Sequence, residues 1–213
     1  MKINKKRLCE IRTAVDNMLV TAGYMNVDAG KISGAEEENV GTPVIDIIKI
    51  AHAYGFVVGD ASFADNILGF IIVNENTSLF TDCNITLAFS NHGSSIDRIN
   101  RINQLICINN SMKPQRKRFI IAYELGYYIL YFDAGADGGW AHVDRPGRPE
   151  GEMKEVREAD AFAKYLLMSE GSFTAKYQQI KNAGLREDEI YLLIARKYNV
   201  TETLAEQRAK YII

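Results

Sequence analysis

The chain is short of the residues that would staple, anchor or strongly charge it. Its 213 residues include three cysteines, Cys9, Cys83 and Cys107, odd in number and without a C-x-x-C pair. That argues against a disulfide framework, and it predicts buried thiols in a reducing, cytoplasmic compartment. Charge of one sign is also missing. A formal net charge of −2 gives no electrostatic reason to expect nucleic acid as a partner. No apolar run is long enough for a membrane span, and the basic start Met1 to Arg7 leads into periodic residues interrupted by Glu10, Arg12 and Asp16. Neither a signal peptide nor a transmembrane helix is expected. Imidazole is scarce as well: His52, His92 and His142 are the whole supply. What remains is ordinary, with 47% hydrophobic and 24% charged residues, enough to bury a core in one globular unit.

Periodicity places the elements. Leu8, Ile11, Val15, Met18, Leu19 and Ala22 recur at helical spacing up to Gly23, which predicts an amphipathic first helix. Residues 24–41, with three glycines and the acidic run Glu36 to Glu38, read as a solvated loop. Thr42 as N-cap and Pro43 at the first position would open a second helix that buries Val44, Ile47, Ile48 and Ala51 and stops near Gly55. Strands are expected from Phe56, across Ile67 to Val73, across Ile85 to Phe89, and last at Leu105 to Asn109. Residues 133–151 hold five glycines and two prolines and read as a long flexible loop, in which Trp140 caps the core edge. Helices follow over Glu152 to Met168, through Ile190, Leu193, Ile194 and Tyr198, and from an N-cap at Thr201 to Tyr211. The last pair has the outline of a helix-turn-helix, but Arg208 and Lys210 against Glu202 and Glu206 favour packing over DNA contact. The organisation expected is residues 1–41 as helix and acidic loop and 42–213 as the main domain, together forming one unit.

One stretch carries chemistry. Arg116 to Tyr131 reads as a single helix whose apolar body is interrupted by Tyr123, Glu124 and Tyr127. Residues four apart share a helix face, so Tyr123 and Tyr127 point into one space with Glu124 beside them. This is the spacing of His-Glu-x-x-His, where two imidazoles hold zinc and the glutamate is general base. Here both histidines are tyrosines. The cluster Lys113, Arg116, Lys117 and Arg118 at the start of the same helix reads as a solvated helix end.

Ile106-Cys-Ile-Asn109, the helix from Gln115 to Leu130, and Glu158-Ala-Asp-Ala-Phe-Ala163 with Leu166-Leu-Met168 together resemble the ImmA/IrrE family of zincin-like metallopeptidases. That family reads roughly I-x-I-N, R-x-R-F-x-I-A-H-E-L-G-H-x-x-L and E-A-N-x-F-A-x-x-L-L-M, and the resemblance spans about residues 43–210. It implies an α+β, zincin-like fold: a small mixed sheet packed against an active-site helix, with additional N- and C-terminal helices. It also implies that Glu124 falls on the catalytic base, that Tyr123, Tyr127 and Glu158 fall on the zinc ligands, and that the edge strand before the active-site helix takes the substrate backbone. Active members are linked to cleavage of helix-turn-helix repressors, often of phages or mobile elements.

Ligand chemistry turns that implication around. Each phenol would have to lose its proton about 3 pH units below its reference pKa of about 10, a cost of ~4 kcal/mol per tyrosine and ~8 for the pair. No spacing pairs His52, His92 or His142 with Glu158, and a lone histidine reads as a polar core or surface residue. The expectation is an empty metal position at Tyr123, Tyr127 and Glu158, no cofactor, and a vestigial base at Glu124. The phenol hydroxyls would protrude into the vacated volume and donate to Glu158 or Glu124. The function expected is that of a pseudo-metallopeptidase binding a protein or peptide partner, such as a repressor. The competing reading is an active metallopeptidase with an atypical ligand set and zinc.

Overall fold

Asn4 opens the first helix by accepting the Arg7 amide at 2.8 Å, and Leu8, Ile11, Val15, Met18 and Leu19 are buried along one stripe of α1 (Lys5–Thr21). Gly23 follows in the left-handed region at φ 75, as a helix stop requires. This is a computed structural model, and it describes residues 3–28, 31–33, 44–63, 67–73, 104–132, 139–144 and 153–211. The predicted strand over Ile85 to Phe89, the acidic run, Cys83 and His92 lie outside the described residues.

After α1 come β1 (Asn26–Asp28) and β2 (Lys31–Ser33), a two-stranded antiparallel pair within what the sequence reads as loop. Next is α2 (Ile47–Ala53), which corrects the second helix. Its N-cap is Asp46, whose carboxylate accepts the amides of Ile48 and Lys49, both at 3.1 Å. Asp46 is itself pinned by its amide donating to the Tyr24 hydroxyl at 3.0 Å. The helix therefore starts later than a Thr42 cap would have it, and the buried face becomes Ile47, Ile50 and Ala51, with Val44 and Ile48 exposed.

Strands β3 (Val57–Ala61), β4 (Gly69–Val73), β5 (Gln104–Asn109) and β6 (Trp140–Asp144) form a mixed sheet in the order β3-β5-β4-β6, with only the β3–β5 pair parallel. Two expectations are corrected here. β5 lies between β3 and β4, so both its edges are already paired and it cannot receive a substrate backbone. It is also not the last strand, because Trp140–Asp144 of the expected loop pairs antiparallel with β4. The glycine-rich flanks hid this strand. Its own five residues alternate: Trp140 packs toward the helix-facing core, whereas Ala141 and Val143 pack on the opposite cluster. β4 is buried on both faces, which explains its unbroken apolar run Gly69 to Val73.

α3 (Pro114–Tyr131) lies on the sheet, and its residues Phe119 to Tyr127 are all buried, as suits a helix enclosed all round. α4 (Met153–Leu167) packs along it closely, because Gly126 of α3 leaves no side chain between the two. A Cβ there would sit 3.0 Å from the Phe162 ring and 3.2 Å from the Ala159 carbonyl. α5 (Glu170–Asn182), α6 (Glu187–Tyr198) and α7 (Glu202–Ala209) complete the helical side. Thr201 caps α7 as expected, its hydroxyl accepting the Leu204 amide at 3.2 Å. Arg208 is turned inward: fully buried, it donates to the Met168 carbonyl and to Glu170 and lies over the Tyr165 and Phe173 rings. The whole is a mixed α+β chain in which α1 shares one hydrophobic core with α3, α4 and the sheet. Among the described residues, no helix is long and apolar enough to cross a membrane.

Candidate functional site

Four aromatic residues at four-residue spacing, Phe119, Tyr123, Tyr127 and Tyr131, run up one face of α3. Their successive ring centroids are 6.1, 5.2 and 5.6 Å apart. Such spacing brings side chains one above the other, and the ladder is what an amphipathic reading of the helix predicts for Tyr123 and Tyr127. Both are buried, and Glu124 beside them is wholly so.

His142 enters this group from β6. The alternation of that strand turns it to the helix side, where its ring stacks on Tyr127 at 3.5 Å and 15°. Its Nδ1 lies 2.7 Å from Glu124 Oε2. The position matching the catalytic base is therefore engaged by His142. His52 is exposed on α2.

Glu158, on α4, is also buried, with 2% of its side chain exposed, but it is held by different partners. Arg7 of α1 donates to its Oε2 from Nε at 2.7 Å, and its Nη2 stands 2.6 Å from the same oxygen as an ion pair. The Tyr131 hydroxyl donates to the same oxygen at 2.6 Å. Lys154 Nζ stands 4.0 Å from Oε1. Burial alone would raise the Glu158 carboxyl, but the hydrogen bonds from Arg7 and Tyr131 and the charge of Arg7 outweigh it and hold the group below the ordinary carboxylate value. Burial, with the carboxylate beside it, pushes the Tyr131 phenol well up, so it stays a proton donor. Arg7 spends its remaining terminal nitrogen on Glu10, at 3.0 Å. A cleft of about 210 Å³ opens over this contact, lined by Lys6, Arg7, Glu10, Lys154, Arg157 and Glu158 among others.

The sequence reading singled out Tyr123, Glu124, Tyr127 and Glu158, but not Arg7 or Tyr131. Tyr131 was legible, since it continues the tyrosine spacing by one more turn. Arg7 was not: it lies 151 positions from Glu158 and belongs to no motif. Of the two cysteines among the described residues, Cys9 is exposed rather than buried, and Cys107 is enclosed in the sheet with its thiol pushed up to about 12 by burial.

Zinc can be tested against these donors. Two of the three positions offer phenols, and the third, Glu158, already has one oxygen saturated by a guanidinium and a phenol. A dication bound there would face the fixed charge of Arg7 at close range. The residues at these three positions do not fit the metal.

No curated protein matches the chain. A family model described as the IrrE N-terminal-like domain, Peptidase_M78, matches residues 80–210, a span that contains α3, β6 and α4 but not Arg7. With well over half of its length on that model and a mixed sheet backing the motif helix, the chain belongs to the IrrE N-terminal-like family and has its metallopeptidase-like scaffold.

Proposed function

We propose that this protein is a pseudo-metallopeptidase: it keeps the scaffold of its family to hold a protein or peptide partner and does not cut it. The observation that carries the reading is the engagement of Glu158 by Arg7 and Tyr131, with tyrosine at both positions where the motif calls for imidazole. Without a metal to polarise a carbonyl and acidify water, Glu124 is a weak hydrolytic base. Its contact with His142 supports a positional role inside the core. A repressor of the helix-turn-helix type is the partner that the family resemblance suggests.

One feature favours a second reading. His142 brings an imidazole next to Glu124 and against Tyr127, so an atypical ligand set built around it would keep the protein an enzyme. Zinc titration monitored by thermal unfolding separates the two, because a ligand of the native state raises the melting temperature by mass action. The pseudo-peptidase reading expects no rise and no cleavage of an unfolded or repressor substrate. A zinc-dependent rise together with zinc-dependent proteolysis would replace it with the enzyme.

A further inference from the structure

We infer that Arg7 is a resident counter-cation for Glu158, a guanidinium supplied by α1 that occupies the place of a metal's charge and ties the N-terminal helix to the vestigial site. The inference deepens the pseudo-peptidase reading and rests on it.

Four observations converge. Glu158 is a nearly fully buried carboxylate, and a buried charge persists only when paired and hydrogen-bonded. The pairing is made by Arg7, whose two nitrogens converge on Oε2 from a helix outside the span matched by the family. Tyr131 donates to the same oxygen, so a cation and a phenol saturate Oε2 and leave a metal to approach Oε1 beside the guanidinium's charge. Finally, Arg7 is not a flexible surface residue that happens to reach across. Asn4 fixes its amide, Glu10 holds its third nitrogen, and the apolar stripe of α1 is sealed into the common core on the turns that follow.

The arrangement makes a specific demand. Restoring imidazole at the two tyrosines should be insufficient to restore tight zinc binding while Arg7 stays, because the incoming ion would meet a guanidinium already paired with its third ligand. Removing Arg7 as well should release Glu158. Arg7 is thus a positioning residue, acting on any metal or partner only through Glu158.

The test compares zinc affinity, measured by competition with a chromophoric chelator, for Tyr123→His/Tyr127→His with and without Arg7→Gln. The variant lacking Arg7 is expected to bind zinc at least about tenfold more tightly, the scale on which groups behind a metal ligand act. Equal or weaker binding in that variant would overturn the inference. Should neither variant take zinc, a double-mutant cycle of Arg7→Gln and Glu158→Gln in the native chain decides, read as the denaturant midpoint. Strong coupling supports the clasp, and additive losses refute it. Zinc binding by the native chain would instead remove the pseudo-peptidase reading. The Arg7 inference would then stand or fall on the ratio of zinc affinities of Arg7→Gln and the native chain.

Discussion

Glu158 shows how much a single residue's partners decide. In the sequence it is one glutamate within an alanine-rich helix; in the fold its carboxylate is enclosed and held by the Arg7 guanidinium and the Tyr131 hydroxyl. Hydrogen bonds to a charged group are worth about 1.5–3 kcal/mol each. Tyr131→Phe should therefore lower the unfolding free energy by about that amount in urea titration, and Arg7→Ala by at least as much, since it leaves a buried charge behind. The pH dependence follows from the same contacts. The Glu158 carboxyl sits below its unfolded value of about 4.3, so the fold binds the proton more weakly than the unfolded chain does. Its contribution to stability is complete above that value and is lost as pH falls through the lower, folded one. Glu158→Gln should accordingly flatten the decline of stability below about pH 4 while lowering stability at neutral pH, and chemical denaturation at several pH values checks both. A parallel decline in native and variant would mean that the clasp does not hold the carboxylate ionised.

At the scale of elements, the sequence was most legible where period and end signals agreed. α1 carries its apolar stripe up to Gly23, α7 starts from Thr201, and the α3 motif runs as a single helix. It was least legible where neighbours decide. β6 is five residues between glycine-rich stretches, and it becomes a strand because β4 offers it a partner. The Asp46 cap prevails over Thr42 because Asp46 is bonded to Tyr24, twenty-two positions away. Within the site, Tyr123, Glu124 and Tyr127 could be placed on one face from spacing alone, whereas the arrival of His142 depended on the register of β6. The approach of α3 to α4 yields a prediction of its own. Gly126→Ala would place a methyl group against the Ala159 carbonyl, which cannot rotate away. Overpacking of that kind costs about 1–3 kcal/mol and outweighs the gain of up to ~1 kcal/mol in helix propensity. A net loss of stability is expected in thermal unfolding, and an unchanged or raised midpoint would mean that the helices are less tightly apposed.

On the scale of the whole molecule, the family match begins at residue 80, yet the fold does not. Ile11, Val15, Met18 and Leu19 of α1 are almost wholly buried in the core shared with α3 and α4. Each such side chain contributes about 1.5–3 kcal/mol, so their sum is comparable with the 5–15 kcal/mol net stability of a typical domain. A chain lacking residues 1–22 should fail to give a cooperative unfolding transition by circular dichroism. A truncated protein melting like the full chain would show α1 to be an accessory. The account as a whole rests on an arginine, rather than a metal, balancing the buried glutamate. Its most direct test is the metal content of the purified native protein after equilibration with zinc and removal of excess. The account predicts far less than one zinc ion per chain, unchanged by Glu158→Gln. One ion per chain, lost on Glu158→Gln, would contradict it.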